Sequence, residues 1–225
     1  MASLNKKAFS GLISLIIIMA AALFLPAWSI TYWQAWAFLA VFFISVLFIT
    51  VYLMRKDPSL LARRVAGGPA AEKETSQKII QSLASVAFIA LLVVPALDHR
   101  FAWSYVPLYI VVAGDVLVAF GLYIIFLVFK ENSFTSATIE AMSGQQIVST
   151  GPYAIVRHPM YAGAIIMLLG MPISLGSWWG LLAVIPMVVV IALRLVDEEK
   201  FMVQHFSEYS SYQQKVRWRL VPFVW

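Results

Sequence analysis

Long apolar runs separated by short polar connections constrain this chain more than any other feature. Residues 8–28, 33–54, 79–97 and 105–129 are almost unbroken hydrophobic stretches. A helix rises 1.5 Å per residue, so roughly 20 residues cross a hydrocarbon core of about 30 Å. The 225-residue chain is 62% hydrophobic and 12% charged, with a mean hydropathy of +0.86. Soluble domains carry about twice that share of charge, and so much length in spans leaves no room for a separate soluble domain. The expected fold class is all-α: a polytopic integral membrane protein of five to six transmembrane helices that closes on a helical hairpin. Residues 1–130 hold four spans, and residues 131–225 hold the hairpin and the loops around it.

The basic residues are distributed as loop punctuation. With six apolar segments, fifteen of the sixteen lysines and arginines fall on one side of the membrane, and only Arg100 falls on the other. The positive-inside rule then places both termini in the cytoplasm, and a bacterial inner membrane is the expected location. The formal charge of +5 is therefore no sign of a nucleic-acid partner. Cysteine is absent, which excludes disulfide scaffolds, thiolate metal sites and a cysteine nucleophile. His99, His158 and His205 lie far apart, and no metal is expected.

Pro26 and the aromatic cluster Trp28, Tyr32, Trp33 and Trp36 end the first span and read as an interfacial belt. The connection from Arg55 to Lys78 contains Gly67-Gly68-Pro69, which breaks any helix; it reads as solvated, with its basic residues at the lipid headgroups. Asp98-His99-Arg100 reads as a short outer turn without function. Asp115 sits among apolar neighbours, where an ionisable residue needs a partner or a wet cavity. Gly114 and Gly121 are seven residues apart on one helix face, which permits close helix packing.

The chemistry concentrates between residues 130 and 200. Gly151-Pro152-Tyr153 is followed, after a short spacer, by Arg157-His158-Pro159-Met160-Tyr161-Ala162-Gly163. Two prolines and two glycines in thirteen residues forbid a continuous helix there. The loop carries an arginine, a histidine and two tyrosines beside the end of a span, and polar backbone at that depth lines a cavity. Residues 162–173 and 178–193 form the hairpin, whose first arm is barely long enough to cross. It returns Arg194 to the loop, and Arg194 and Glu198 share a helix face as i and i+4.

Gly-Pro-Tyr followed by Arg-His-Pro-x-Tyr-x-Gly resembles the signature of the isoprenylcysteine carboxyl methyltransferase family, to which the phospholipid N-methyltransferases are similar. The resemblance continues through Arg194, Asp197-Glu198-Glu199, Phe206, Tyr209, Tyr212, Arg219 and Pro222, and covers about the last ninety residues. It implies a transferase with S-adenosylmethionine as methyl donor and a lipophilic small-molecule acceptor drawn from the bilayer. By that resemblance the cytoplasmic loop binds the cofactor through Gln145, Gln146, Ile147, Val148, Tyr153, His158, Pro159, Met160, Tyr161 and Glu198. Catalysis rests on Arg194 and Glu198, Arg194 facing the acceptor's carboxylate.

The physics agrees with this chemistry. A methyl sulfonium is a cation that a carboxylate and tyrosine faces stabilise. Carboxyl O-methylation needs mainly proximity, because an acid of pKa about 4 is already ionised at neutral pH. An amine acceptor, as in phospholipid N-methylation, needs a base, with His158 or Glu199 the candidates. Two other readings stand beside it. Membrane sterol and enone reductases have a similar Arg-His-Pro-x-Tyr-x-Gly but use NADPH, and a membrane scaffold with a basic face binds neither cofactor.

Overall fold

The computed structural model describes residues 2–72, 74–138 and 146–225. It is all-helical, with no strand among the described residues. Five helices are long and apolar enough to span a membrane. They are α1 (Ala2–Ala27), α2 (Trp33–Lys56), α4 (Thr75–Phe101), α5 (Leu108–Glu131) and the segment Trp179–His205, most of which is α7 (Val184–His205). Three shorter helices complete the set: α3 (Pro58–Val65), α6 (Pro159–Ser174) and α8 (Tyr209–Lys215). One core cluster draws Leu23, Phe38, Leu91, Val118, Met171 and Met187 from six different helices. Outward-facing side chains such as Ile17, Leu25, Val86 and Val116 are apolar and exposed, as a lipid-facing surface requires.

The sixteen residues of α6 measure only about 24 Å at 1.5 Å per residue. The hairpin nonetheless reaches from one end of the bundle to the other. At its far end the Trp178 amide donates to Ser104 Oγ at 3.2 Å and the Trp178 ring to the Tyr105 carbonyl at 3.2 Å. At its near end Met160 packs against the cluster that contains Phe129 of α5. Residues 175–178 supply the length that the helix lacks.

The pairing of α5 with α6 is the tightest in the fold, and four glycines cause it. A Cβ on Gly121 would lie 2.5 Å from the Gly163 carbonyl oxygen, and one on Gly170 would lie 2.8 Å from the Gly114 carbonyl oxygen. Backbone meets backbone, so the expectation for Gly114 and Gly121 is met, with Gly163 and Gly170 as the matching pair. Asp115 is held in the same contact, accepting a hydrogen bond from Ser174 Oγ across the two helices.

Three expectations are corrected. Asp98, His99 and Arg100 are not a turn: α4 continues to Phe101 and stops at Ala102, whose left-handed backbone (φ 52°) donates to the Asp98 carbonyl. Polar side chains ended the apolar pattern, but backbone hydrogen bonding continued beyond it. Asp98 is 1% exposed and accepts from the Ser104 amide, Ser104 Oγ and Ser177 Oγ. Tyr32 is no belt residue. It is fully buried, donates to the Leu175 carbonyl and stacks on His99, whereas Trp28, Trp33 and Trp36 are exposed.

The connection after α2 is the third correction. Asp57 caps α3, accepting from the Leu60 amide at 2.9 Å, and Pro58 occupies the first turn, where its missing N–H costs nothing. Leu60 and Leu61 are buried against Leu53 and Phe129. Beyond the helix-breaking glycines, Glu72 and Gln77 are buried too. Arg55, Lys56 and Lys78 are exposed as expected, but the segment is more than a solvated connection: through its buried residues it folds back as a wall at one end of the bundle.

Candidate functional site

That end of the bundle contains a cavity of about 390 Å3. It is floored by the start of α6 and the end of α7, and walled by the α3 turn, residues 132–138, residues 146–148 and α8. Of the sequence-derived site residues, Gln146, Ile147, Val148 and Tyr153 line it from the loop. His158, Pro159, Met160 and Tyr161 line it from the start of α6, and Arg194 and Glu198 from α7. Gln145 lies outside the described residues. The structure brings the other ten together on one cavity, although Gln146 and Glu198 are 52 positions apart in the sequence.

The signature holds its shape through a buried charge network. Gly151 takes a left-handed backbone (φ +55°), and a Cβ there would lie 2.8 Å from the Glu131 carboxyl carbon. The left-handed backbone favours glycine, and a larger residue would also have to push the flexible Glu131 side chain aside. The chain then turns through a short 3-10 segment, Gly151–Ala154, and enters α6 at Pro159, the position where a helix tolerates proline. Between these, the Arg157 and His158 amides donate to the Trp218 and Arg219 carbonyls, each at 2.9 Å.

Glu199 is the centre of that network. It is 5% exposed and accepts from Arg157 Nε at 2.7 Å and Arg219 Nε at 2.9 Å, with His158 Nε2 at 3.3 Å. Arg157 also donates to the Val216 and Arg217 carbonyls. Signature loop, α7 and C-terminal segment are thereby tied at one carboxylate. Such a cluster tolerates burial only because every charge is paired.

Glu198, one residue earlier, turns to the cavity instead. It accepts from the Tyr161 hydroxyl at 2.7 Å and forms no ion pair among the described residues. The Tyr161 oxygen in turn accepts from Arg194 Nε at 3.2 Å. The two residues expected to divide the work are thus joined through one phenol.

Arg194 is more committed than a residue awaiting an acceptor. It pairs with Glu72 at 2.8 Å and donates to Gln77 Oε1 at 3.0 Å and the Ala137 carbonyl at 2.8 Å. With Tyr161, four of the five guanidinium N–H groups are engaged. Glu72 also accepts from Gln81 at 2.9 Å, and Asp197 accepts from Gln77 at 3.0 Å.

The tyrosines act as neutral donors and walls. Tyr153 accepts from Asn132 at 3.2 Å, and its phenol is pushed well above the usual range, mainly by burial. Burial likewise raises Tyr209 and Tyr212, with nearby Glu199 adding to the effect at both. Tyr212 donates to the Tyr153 carbonyl at 2.8 Å.

Sequence reasoning missed the α3 wall. Arg64, Gly67, Gly68 and Gln81 line the cavity, and Glu72 and Gln77 position Arg194. The readable signal was Asp57-Pro58, an N-cap followed by an N-terminal proline, with Leu60 and Leu61 behind it. Among the described residues no group of three or more histidine or acidic side chains is placed to hold a metal.

The all-helical bundle thus gathers the signature residues on one cavity at the end of a glycine-packed hairpin. Residues 109–209, from α5 to the first residue of α8, match the phospholipid methyltransferase family model, so this stretch of the chain, a little under half of it, is similar to the membrane methyltransferases of that family. Comparison with curated protein sequences gave no match.

Proposed function

We propose that this protein transfers a methyl group from S-adenosylmethionine to a lipophilic acceptor presented from the bilayer. The observation that carries the proposal is the convergence of ten signature-derived residues on one cavity in which Glu198 is a carboxylate without an ion pair. The cavity volume falls within the roughly 300–1,000 Å3 usual for small-molecule sites. Its donor set fits the cofactor: a carboxylate for a cation, tyrosine rings, and exposed loop backbone. S-adenosylmethionine, when bound, supplies the methyl group as a sulfonium.

The chain's own part is to bind and to orient. Glu198 provides the counter-charge, and Tyr161 fixes its orientation by donating to it. Tyr153 and Tyr161 line the cavity with π faces that favour a cation. The Arg157–Glu199 network holds the signature backbone rigid. The basic residues at this end of the bundle support a cytoplasmic placement by the positive-inside rule.

Carboxyl O-methylation is the leading reaction because it needs no base. The two candidate bases, His158 and Glu199, face each other, and Glu199 is engaged by two arginines as well. The Arg194–Glu72 pair favours a second reading, an amine phospholipid acceptor, since it leaves Arg194 without two free donors for a carboxylate. Proteoliposomes given methyl-labelled S-adenosylmethionine with a prenylated cysteine analogue or phosphatidylethanolamine test the proposal. Label should appear in one of the acceptors. Reduction of an enone lipid by NADPH, without label transfer, would overturn it.

A further inference from the structure

The cavity walls carry three guanidinium groups, and they differ in what neutralises them. Arg157 is paired with Glu199 and Arg194 with Glu72. Arg64, at the end of α3, has no carboxylate within ion-pair distance among the described residues. Its contacts are a hydrogen bond from Nη1 to the Ser136 carbonyl at 2.9 Å and the Phe129 ring 5.1 Å beneath its guanidinium. Burial is the main effect that lowers its pKa; Tyr161 works against it, and the nearby Arg194 adds to it.

Arg64 is held at that wall by its neighbours. Asp57 and Pro58 start α3, and Leu60 and Leu61 anchor it to the bundle. The turn after it approaches residues 132–138 so closely that a Cβ on Gly67 would lie 2.3 Å from the Ala137 Cβ. After internal pairing, the arginines and carboxylates lining the cavity among the described residues reduce to one carboxylate, Glu198, and one guanidinium, Arg64. The cavity is bipolar.

We propose that Arg64 is an anion subsite: it binds the carboxylate or phosphate of a ligand whose cationic group lies toward Glu198. This deepens the methyltransferase reading and rests on it. A guanidinium with unused N–H groups in a half-buried wall matches a planar or tetrahedral oxyanion. Two ligands can supply that group: the amino-acid carboxylate of S-adenosylmethionine, or the acidic headgroup of the acceptor.

The test compares the wild type with Arg64→Ala and Arg64→Lys in maltoside micelles by calorimetric titration. Three probes are used: S-adenosylmethionine, its decarboxylated analogue, and dodecyl phosphate. If Arg64 holds the cofactor carboxylate, Arg64→Ala weakens S-adenosylmethionine roughly ten- to a hundredfold, leaves the decarboxylated analogue within about twofold, and Arg64→Lys recovers part of the loss. If it holds the acceptor's acid group, dodecyl phosphate weakens instead and S-adenosylmethionine does not. An equal loss for S-adenosylmethionine and its decarboxylated analogue identifies Arg64 as a clamp on Ser136 and overturns the proposal. Unchanged affinity for all three probes overturns it as well. A wild type that binds dodecyl phosphate but not S-adenosylmethionine overturns the methyltransferase reading and leaves the anion subsite standing.

Discussion

Both ends of this bundle bury acids, and they do so in opposite ways. At the end where α4 meets α5, Asp98 accepts only from neutral donors: one amide and two serine hydroxyls. Those bonds, with Tyr32 reaching the Leu175 carbonyl, tie three connections together. At the other end Glu199 and Glu72 are paired with arginines, and the pairs surround a cavity. Neutral donors are enough to seal a corner. At the cavity end paired charges tie separate segments together around the open space, and a fully satisfied network of this kind is rigid. At that end Glu198 and Arg64 line the cavity without an ion pair among the described residues.

The largest effect expected from this contrast is at Glu199. Glu199→Ala leaves Arg157 buried without its counter-charge, and breaking a buried pair costs about 3–5 kcal/mol. Thermal unfolding in detergent should show a large drop, with cofactor affinity lost because the signature and C-terminal segment separate. A drop no larger than that from an exposed control such as Lys200→Ala would show that the network is not structural.

The α5–α6 contact joins the two ends, and Gly121→Ala tests it. The new methyl meets the Gly163 carbonyl oxygen and the Met167 amide nitrogen, both at 2.5 Å, so the helices must move apart at a cost of roughly 1–3 kcal/mol. Because the hairpin also carries Tyr161, cofactor affinity should fall along with the unfolding temperature. A stability loss with affinity intact would mean that the site tolerates a shifted hairpin.

Asp98→Ala, at the sealed end, leaves the Ser104 amide without its side-chain acceptor and should cost about 1–3 kcal/mol. Affinity for S-adenosylmethionine should not change. If it does, the two ends are coupled and the contrast drawn between them fails.

Much of this was legible before any coordinates. Spans, hairpin and the glycine face on α5 follow from periodicity and residue size, which are local properties. Seven of the ten site residues lie in Gly151–Gly163 and Arg194–Glu198, the contiguous blocks that carry the family resemblance, and Gln146, Ile147 and Val148 came from that resemblance alone. What escaped is non-local. That Glu72 pairs with Arg194, 122 residues away in the chain, depends on how α3 folds back, and no pattern along the chain encodes that. Tyr32 looked like its tryptophan neighbours, yet it is buried because residue 175 needs a donor. Glu198 and Glu199 look alike in sequence, but successive helical positions differ by about 100°, so one faces the network and the other the cavity.

Glu198→Gln should have the smallest effect on stability, within about 0.5 kcal/mol, because the amide can still accept from Tyr161. It is also the most direct test of the central claim that the Glu198 carboxylate serves a bound cation. Calorimetric titration of wild type and Glu198→Gln with S-adenosylmethionine, S-adenosylhomocysteine and NADPH measures this. The wild type should bind both adenosyl ligands saturably, prefer the sulfonium, and give no heat with NADPH. Glu198→Gln should bind S-adenosylmethionine roughly ten- to a hundredfold more weakly, with the preference for the sulfonium gone. Equal affinity of both proteins for S-adenosylmethionine, or saturable binding of NADPH in place of it, would contradict the account.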